Sequence, residues 1–270
     1  MMIESPHFKT KHMIHWESQE PDFLFVDDQY DDDRLDYEGI VVSILIFDSL
    51  EAIVNHDQDL LPEPKCALEV SCDDLSRSFD GLVCIYDFRS YILVTNPSIR
   101  WLREVPQAKL QTLVFYGCDE YEPNLLGFGK DICTGTYKLV WLYNLFEVNL
   151  EGATTCEVFD FNTNTWRYVE SSPYRVLYDQ NPLFVDGSLH WFCHSNAGIK
   201  ILSFDCHTEI FQVISQSPIT QEDKTRIVMC KLDNRLCVSE KKWPTQDIWN
   251  TKQFKHDMGE DVFIRSIFLS

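Results

Sequence analysis

His190-Trp191-Phe192-Cys193-His194 and, a little further on, Cys206-His207 bring imidazoles and thiols close together in the chain, and zinc binding is the first chemistry such residues offer. Structural zinc sites draw on close cysteine pairs of the C-x2-C kind, and no such pair occurs here. In an extended strand His190 and His194 share one face while Cys193 points to the other. Histidines satisfied by ordinary hydrogen bonds are expected, with no metal ligands. Gly127-Phe128-Gly129-Lys130-Asp131 has a faint likeness to a phosphate-cradling loop. It lacks both the G-x-x-x-x-G-K-[ST] order and the third glycine of a dinucleotide fingerprint, so it reads as a turn ahead of a strand from Thr136 to Trp141. The acidic run Asp27, Asp28, Asp31, Asp32, Asp33 and Asp36 lacks the alternating ligands, central Gly and terminal Glu of an EF-hand, and reads as a solvated loop. No G-x-S-x-G elbow is present. The sequence therefore nominates no catalytic, cofactor-binding or metal-binding residue, leaves the partner-binding residues unknown, and predicts a protein that is not an enzyme and carries no cofactor.

The elements around these residues repeat. Leu93 to Val105, Val158 to Val169 and Leu202 to Ile214 share one pattern: a short apolar strand ends at Asn96, Asp160 or Asp205, and a polar turn follows. An aromatic (Trp101, Trp166, Phe211) then opens a second strand. Asn, Asp and Pro take turn dihedrals while apolar alternation fixes the register, which is the signature of a β-hairpin. The aromatic that recurs in each unit is expected to pack between neighbouring sheets. Ahead of each hairpin stands a tight-turn signal: Asp80-Gly81, the Gly127 to Lys130 run, Asp186-Gly187 and, opening a fourth unit, Asp233-Asn234. Asp160 and Asp205 are 45 residues apart and Gly187 and Asn234 are 47 apart; Asn96 and Asp160 are separated by 64, the excess falling in longer connections. A unit of about 45 residues with three or four short strands is that of a propeller blade. The fold class predicted is all-β, a kelch-like β-propeller of roughly four to five recognisable blades, incomplete at the C-terminus. Less than about a tenth of the chain should be helix. Phe47 to Leu61 reads as either a strand or a helical turn.

Composition narrows the function. The 43 acidic and 23 basic residues give a formal charge of −20, a field that repels phosphate backbones and anionic membranes, so neither nucleic acid nor membrane is an expected partner. The longest apolar run, Ile40 to Phe47, is strand-length, far below the roughly 20 residues that span a bilayer. Met1 to His12 has no secretory h-region. The ten cysteines are scattered among apolar neighbours, as in Leu82-Val83-Cys84-Ile85, and read as reduced thiols of an intracellular protein in cytoplasm or nucleus.

Taken in order, Asp-Gly-Leu-Val-Cys (80–84), Asn-Pro-Ser-Ile-Arg-Trp (96–101) and Gly-Phe-Gly (127–129) followed by Tyr137-Lys138-Leu139-Val140 resemble a known family. Val158 to Trp166, Asp186 to Trp191, Leu202 to Asp205, Leu236-Cys237-Val238 and Asp247-Ile248-Trp249 continue the series. The run is similar to the F-box-associated, kelch-like domain of plant F-box proteins, over roughly residues 75–255. The resemblance implies the substrate-recognition part of an SCF-type E3 ubiquitin ligase: a non-catalytic propeller that binds a protein target, with F-box helices holding the Skp adaptor. Ser5 to His12 resembles the segment behind an F-box. Residues 1–20 are accordingly expected to be a remnant of that segment and 21–270 the propeller domain, with the F-box itself missing. The segment Phe263 to Ser270 reads as a strand with no blade completed after it. Two alternatives differ in class: a truncated stand-alone interaction propeller with no ligase role, and a propeller hydrolase, whose mark would be paired carboxylates converging in a pocket.

Overall fold

Apolar residues at every second position, broken by Asp-Gly, Asp-Asn and Asp-x-x-Thr turns, can only fold as short antiparallel strands, each reversing into the next. A computed structural model shows this arrangement. It describes residues 23–27, 40–46, 65–72, 74–96, 99, 101–115, 126–143, 154–172, 174–177, 180–195, 198–214, 227–242, 245–250 and 263–268. The chain parts into two compact units, Met1–Phe115 and Tyr116–Ser270.

In the first unit β1 (Phe23–Asp27), β2 (Ile40–Ile46) and β3 (Lys65–Cys72) form a three-stranded antiparallel sheet. A four-stranded sheet follows, built from β4 (Asp74–Leu75), β5 (Val83–Tyr86), β6 (Ile92–Asn96) and β7 (Trp101–Val105). Among the described residues α1 (Lys109–Phe115) is the only α-helix. The second unit holds three four-stranded sheets. They are β8 (Leu126–Lys130) to β11 (Thr165–Tyr168) through β9 (Tyr137–Tyr143) and β10 (Thr155–Asp160); β12 (Leu183–Val185) to β15 (Phe211–Ile214) through β13 (Ser188–Ser195) and β14 (Gly198–Asp205); and β16 (Ile227–Leu232) to β19 (Phe263–Phe268) through β17 (Arg235–Lys242) and β18 (Thr245–Asn250). Every four-stranded sheet has its strands in sequence order, the meander of a propeller blade. The four to five blades expected correspond to these four sheets and the three-stranded one. Phe47 to Leu61 lies outside the described residues.

The three hairpins read from sequence are present in register: Asn96 pairs with Trp101, Asp160 with Thr165 and Phe204 with Phe211. The C-terminal strand differs from its expectation. β19 is hydrogen bonded along β18 and supplies the fourth strand of the last sheet, because the Trp249–Phe263 pairing brings the apolar segment back antiparallel.

The second unit stacks its sheets through β13 and β14, whose two faces are both buried. Leu189, Trp191, Cys193, Leu202 and Phe204 pack on Val140, Leu142, Cys156 and Val158 of the preceding sheet. Phe192, Ile199 and Ile201 pack with Ile227, Met229, Leu236 and Val238 of the following one. Period-2 alternation thus serves two cores at once, and near-continuous apolar strands are the consequence. Of the recurring aromatics, Trp166 packs within its own sheet and not between sheets as expected, whereas Phe211 does both. The Trp166 ring lies 5.3 Å from Phe159 and 6.2 Å from Trp141, across its own sheet, and Phe211 sits 4.9 Å from its strand partner Phe204. Cross-strand pairing puts these rings on neighbouring strands of one blade, and Phe211 also reaches the core between sheets.

Candidate functional site

In a meander, alternate connections emerge at the same end. At one end of the β8–β11 and β12–β15 sheets, and between β16 and β17, these are tight turns of fixed chemistry. Asp186-Gly187 and Asp233-Asn234 close two-residue loops with both residues at positive φ (49 and 79, 48 and 56), the type I′ geometry that matches strand twist. Asp80-Gly81 does the same in the first unit (50 and 73) between the bridged Phe79 and Leu82. The other turns share a five-residue design: Asp131-Ile132-Cys133-Thr134-Gly135, Asp160-Phe161-Asn162-Thr163-Asn164 and Asp205-Cys206-His207-Thr208-Glu209. In each, the Asp carboxylate accepts from the two backbone N–H groups at the third and fourth positions, and the fifth residue, at positive φ, donates its N–H to the Asp carbonyl.

The turn that sequence placed at Gly127 to Lys130 is therefore found at Asp131–Gly135, and Gly127 and Gly129 lie inside β8. Their role is close approach. A Cβ on Gly127 would stand 2.8 Å from the Trp191 ring, and one on Gly129 2.7 Å from the Phe184 ring, so the absence of side chains lets β8 press against the next sheet.

The Asp-capped turns carry polar groups across the seam between the β8–β11 and β12–β15 sheets. Lys138 is buried in β9, and its Nζ donates to the Cys206 carbonyl at 2.6 Å and to Glu209 Oε1 at 2.7 Å. Arg167 donates to the same Glu209 oxygen from the exposed side. Burial alone would raise the Glu209 carboxyl, but the hydrogen bonds from Arg167 and Lys138 outweigh it and hold the group below its ordinary value. His207 Nδ1 lies 3.0 Å from Asp131 Oδ2. Asp131 is also held well below the usual carboxylate range, since bonds from His207, Thr134 and the backbone outweigh its desolvation. Cys133 stands in the same turn, and the ligand atoms of Asp131, Cys133 and His207 lie within 4.8 Å of one another. Asn162 Nδ2 donates to Thr136 Oγ1 at 2.7 Å, tying two turns of one sheet together.

The opposite end carries the connections 144–154, 169–182 and 215–226 together with the two-residue links 196–197 and 243–244, by the strand bounds, while 251–262 joins β18 to β19 at the turn end. The described part of 169–182 runs along two sheets. Ser172 bridges Thr154, Val176 bridges Cys193, and the Leu177 N–H donates to the Phe192 carbonyl at 2.8 Å. Gln180 bonds the Ile227 carbonyl and accepts from the Met229 N–H, reaching the next sheet. At this end the Tyr143 hydroxyl donates to the fully buried Glu157 at 2.6 Å; burial and the Glu157 charge push the phenol up. Tyr168 is exposed nearby in β11, and Lys200 Nζ sits 5.8 Å from the Tyr174 ring centroid.

Of the residues weighed for zinc, His190 is buried, with Nδ1 3.2 Å from the Leu183 carbonyl and Nε2 3.3 Å from Ser203 Oγ. A neutral ring donating from Nδ1 and accepting at Nε2 satisfies both contacts, and burial lowers its pKa to about 4. Cys193 and Cys206 are buried, and desolvation pushes both thiols up to about 12. The side chain of His194 lies outside the described residues, as do Asp28 to Asp36 of the acidic run. The grouping of Asp131 and Cys133 with His207, and of Lys138 and Arg167 with Glu209, was missed from sequence because the partners are 76, 71 and 42 residues apart. The Asp-x-x-Thr-x pattern that recurs at 131, 160 and 205 is the one sequence signal that could have set these three turns in equivalent positions.

Four-stranded antiparallel meanders of blade topology define an all-β protein of the propeller class. The chain matches the F-box associated beta propeller domain over residues 37–267 and belongs to that family. It is similar to an F-box/LRR-repeat/kelch-repeat protein of Arabidopsis thaliana, at 46% identity over 92% of this chain and 65% of the relative. Two F-box proteins of the same plant are each 40% identical, one over 97% of this chain and 61% of the relative, the other over 92% and 76%. The chain thus spans somewhat under two thirds of the length of the first two. Among solved structures, a Dos1 propeller aligns at 12% identity and a TM-score of 0.42, covering 80% of this chain and 52% of that one. No helix among the described residues is long and apolar enough to cross a membrane.

Proposed function

We propose that the chain is the protein-binding, substrate-recognition part of an F-box protein of an SCF-type E3 ubiquitin ligase, and is not itself an enzyme. The observation that supports this reading is the family match over residues 37–267, with relatives that are F-box proteins over most of the chain. The partner is a protein target, bound by the end of the sheets that carries 144–154, 169–182 and 215–226; in the β8–β11 and β12–β15 sheets the opposite end is committed to Asp-capped turns whose polar groups bind one another. Loops on a rigid scaffold are where recognition residues concentrate. Free cysteines, six of the eight described ones buried, fit a protein working in the cytoplasm or nucleus. The acidic chain would bind neither nucleic acid nor anionic membrane.

The test is affinity capture from plant extract with the tag-free chain on a solid support, followed by a direct binding measurement with the captured protein. Exchange of 169–182 for an unrelated sequence of equal length should abolish capture, while Asn162→Ala at the turn end should leave it intact. Failure to retain any protein above an unrelated propeller control would end the target-binding reading. Retention of a purified Skp adaptor separates ligase membership from an interaction propeller that acts without the ligase.

A further inference from the structure

We propose that Asp131, Cys133 and His207 form a binding site for a divalent transition-metal cation of the zinc type, set across the seam between the β8–β11 and β12–β15 sheets. The three donors are a carboxylate, a thiolate and an imidazole, the mixed hard and soft set that suits zinc and its spectroscopic substitute cobalt(II) and not magnesium or calcium. Their ligand atoms already lie within 4.8 Å of one another. Donors on a tetrahedral ion stand roughly 3.3–3.8 Å apart, given metal–ligand distances of about 2.0–2.3 Å. A contraction of about an ångström at the exposed Cys133 side chain closes the difference, since Asp131 and His207 are already 3.0 Å apart.

Two of the three ligands are held before any ion arrives. The Asp131 carboxylate accepts from the Cys133 and Thr134 N–H groups and from Thr134 Oγ1 at 2.7 Å, so its free lone pairs face the adjoining turn. The backbone N–H of His207 donates to Asp205 Oδ1 at 2.8 Å, which fixes its turn, and its Nδ1 already lies 3.0 Å from Asp131 Oδ2. Hydrogen bonds such as those on the Asp131 carboxylate orient a ligand and raise its affinity for the ion. Cys133 and His207 are exposed, which opens an entry path and leaves the fourth position to water. On binding, the Cys133 thiol gives up its proton to solvent. The imidazole binds in its neutral form through Nδ1, which gives up its contact with Asp131 to the ion that joins them. Carboxylate and thiolate together balance the charge of a divalent cation. The site departs from the metal-free protein read from sequence. That reading looked for a close cysteine pair, whereas these donors come from one turn and a second turn 76 residues away.

The experiment is a cobalt(II) titration of the full-length, tag-free chain in a non-thiol reductant, followed by absorption, with zinc affinity measured by competition. The expected result is one cobalt per chain with a thiolate-to-cobalt charge-transfer band. Cys133→Ser removes the band, His207→Ala weakens zinc binding at least about tenfold, and Cys230→Ser leaves both unchanged. Zinc should also raise the melting temperature of the wild type but not of Cys133→Ser. Asp131 is left intact because it also caps its turn. Circular dichroism establishes that each variant is folded. Absence of a charge-transfer band at saturating cobalt, or a band that survives Cys133→Ser, overturns the site. Zinc affinity untouched by His207→Ala does the same, leaving the His207–Asp131 contact as a hydrogen bond alone.

Discussion

Glu209 holds a backbone φ of 59, a conformation that costs a residue bearing a Cβ roughly 1–2 kcal/mol. Its carboxylate is also the partner of the buried Lys138, and leaving a buried cation without its counter-charge costs about 3–5 kcal/mol. The second effect wins. Glu209→Gly should therefore destabilise the protein by about 2 kcal/mol despite relieving the backbone. Adding Lys138→Met should recover most of that loss in a double-mutant cycle of urea denaturation midpoints. His190 makes a pH prediction whose sign follows from its burial. Its folded pKa of about 4 lies below the unfolded 6.5, so the unfolded chain takes up the proton first. The stability of the neutral, doubly bonded ring is complete above 6.5 and is lost as pH falls towards 4, at about 1.4 kcal/mol per pH unit. Urea midpoints measured from about pH 7 to pH 4 should fall less steeply for His190→Gln than for the wild type. Equal slopes would mean that the ring is not held neutral. Sequence led to the expectation that His190 is satisfied by ordinary hydrogen bonds, and the Leu183 and Ser203 contacts supply them. It could not show Lys138 with Glu209, since nothing local marks a lysine whose counter-charge sits on another sheet.

At the scale of the element, the hairpins were legible because Asp and Gly sit where strand twist demands positive φ. The Gly127-Phe128-Gly129 segment was misread for the same reason: glycine marks both tight turns and close approach, and only packing tells them apart. Gly129→Ala decides between the two roles. A turn glycine outside the left-handed region would accept alanine, but here the new Cβ meets the Phe184 ring at 2.7 Å and Cys206 Sγ at 3.2 Å. Overpacking of this kind costs about 1–3 kcal/mol, to be read as a lower melting temperature. Asn234 tests the turns themselves. It sits at φ 56 in the β16–β17 loop, where asparagine is tolerated and a β-branched side chain is not. Asn234→Val should lose about 1–2 kcal/mol, whereas Asn234→Gly should stay within about 0.5 kcal/mol of the wild type. Similar losses for both would place the strain elsewhere.

Over the whole molecule the repeat of about 45 residues made the class of fold readable before any contact was known, since each unit is one sheet that must bury both faces on its neighbours. Function was less legible, because blade sequence reports packing while the connections, to which recognition is assigned in the proposal, follow no readable code. Net charge is the whole-molecule property that still constrains the partner. A chain of −20 attracts a surface of opposite sign and repels another acidic one, so the protein target should present a basic face to the end that carries 144–154, 169–182 and 215–226. Such attraction acts mainly on the rate of encounter, and salt screens it: the Debye length shrinks from about 10 Å at 0.1 M to about 3 Å at 1 M. The association rate constant of chain and captured target, measured by stopped flow, should fall at least about tenfold between 0.05 M and 0.5 M salt, with a much smaller change in dissociation. Captured proteins should be enriched in basic sequences, and a DNA or heparin column should not retain the chain. An association rate indifferent to salt, with a target of acidic surface, would mean that apolar contacts of the long connections carry recognition without help from the charge.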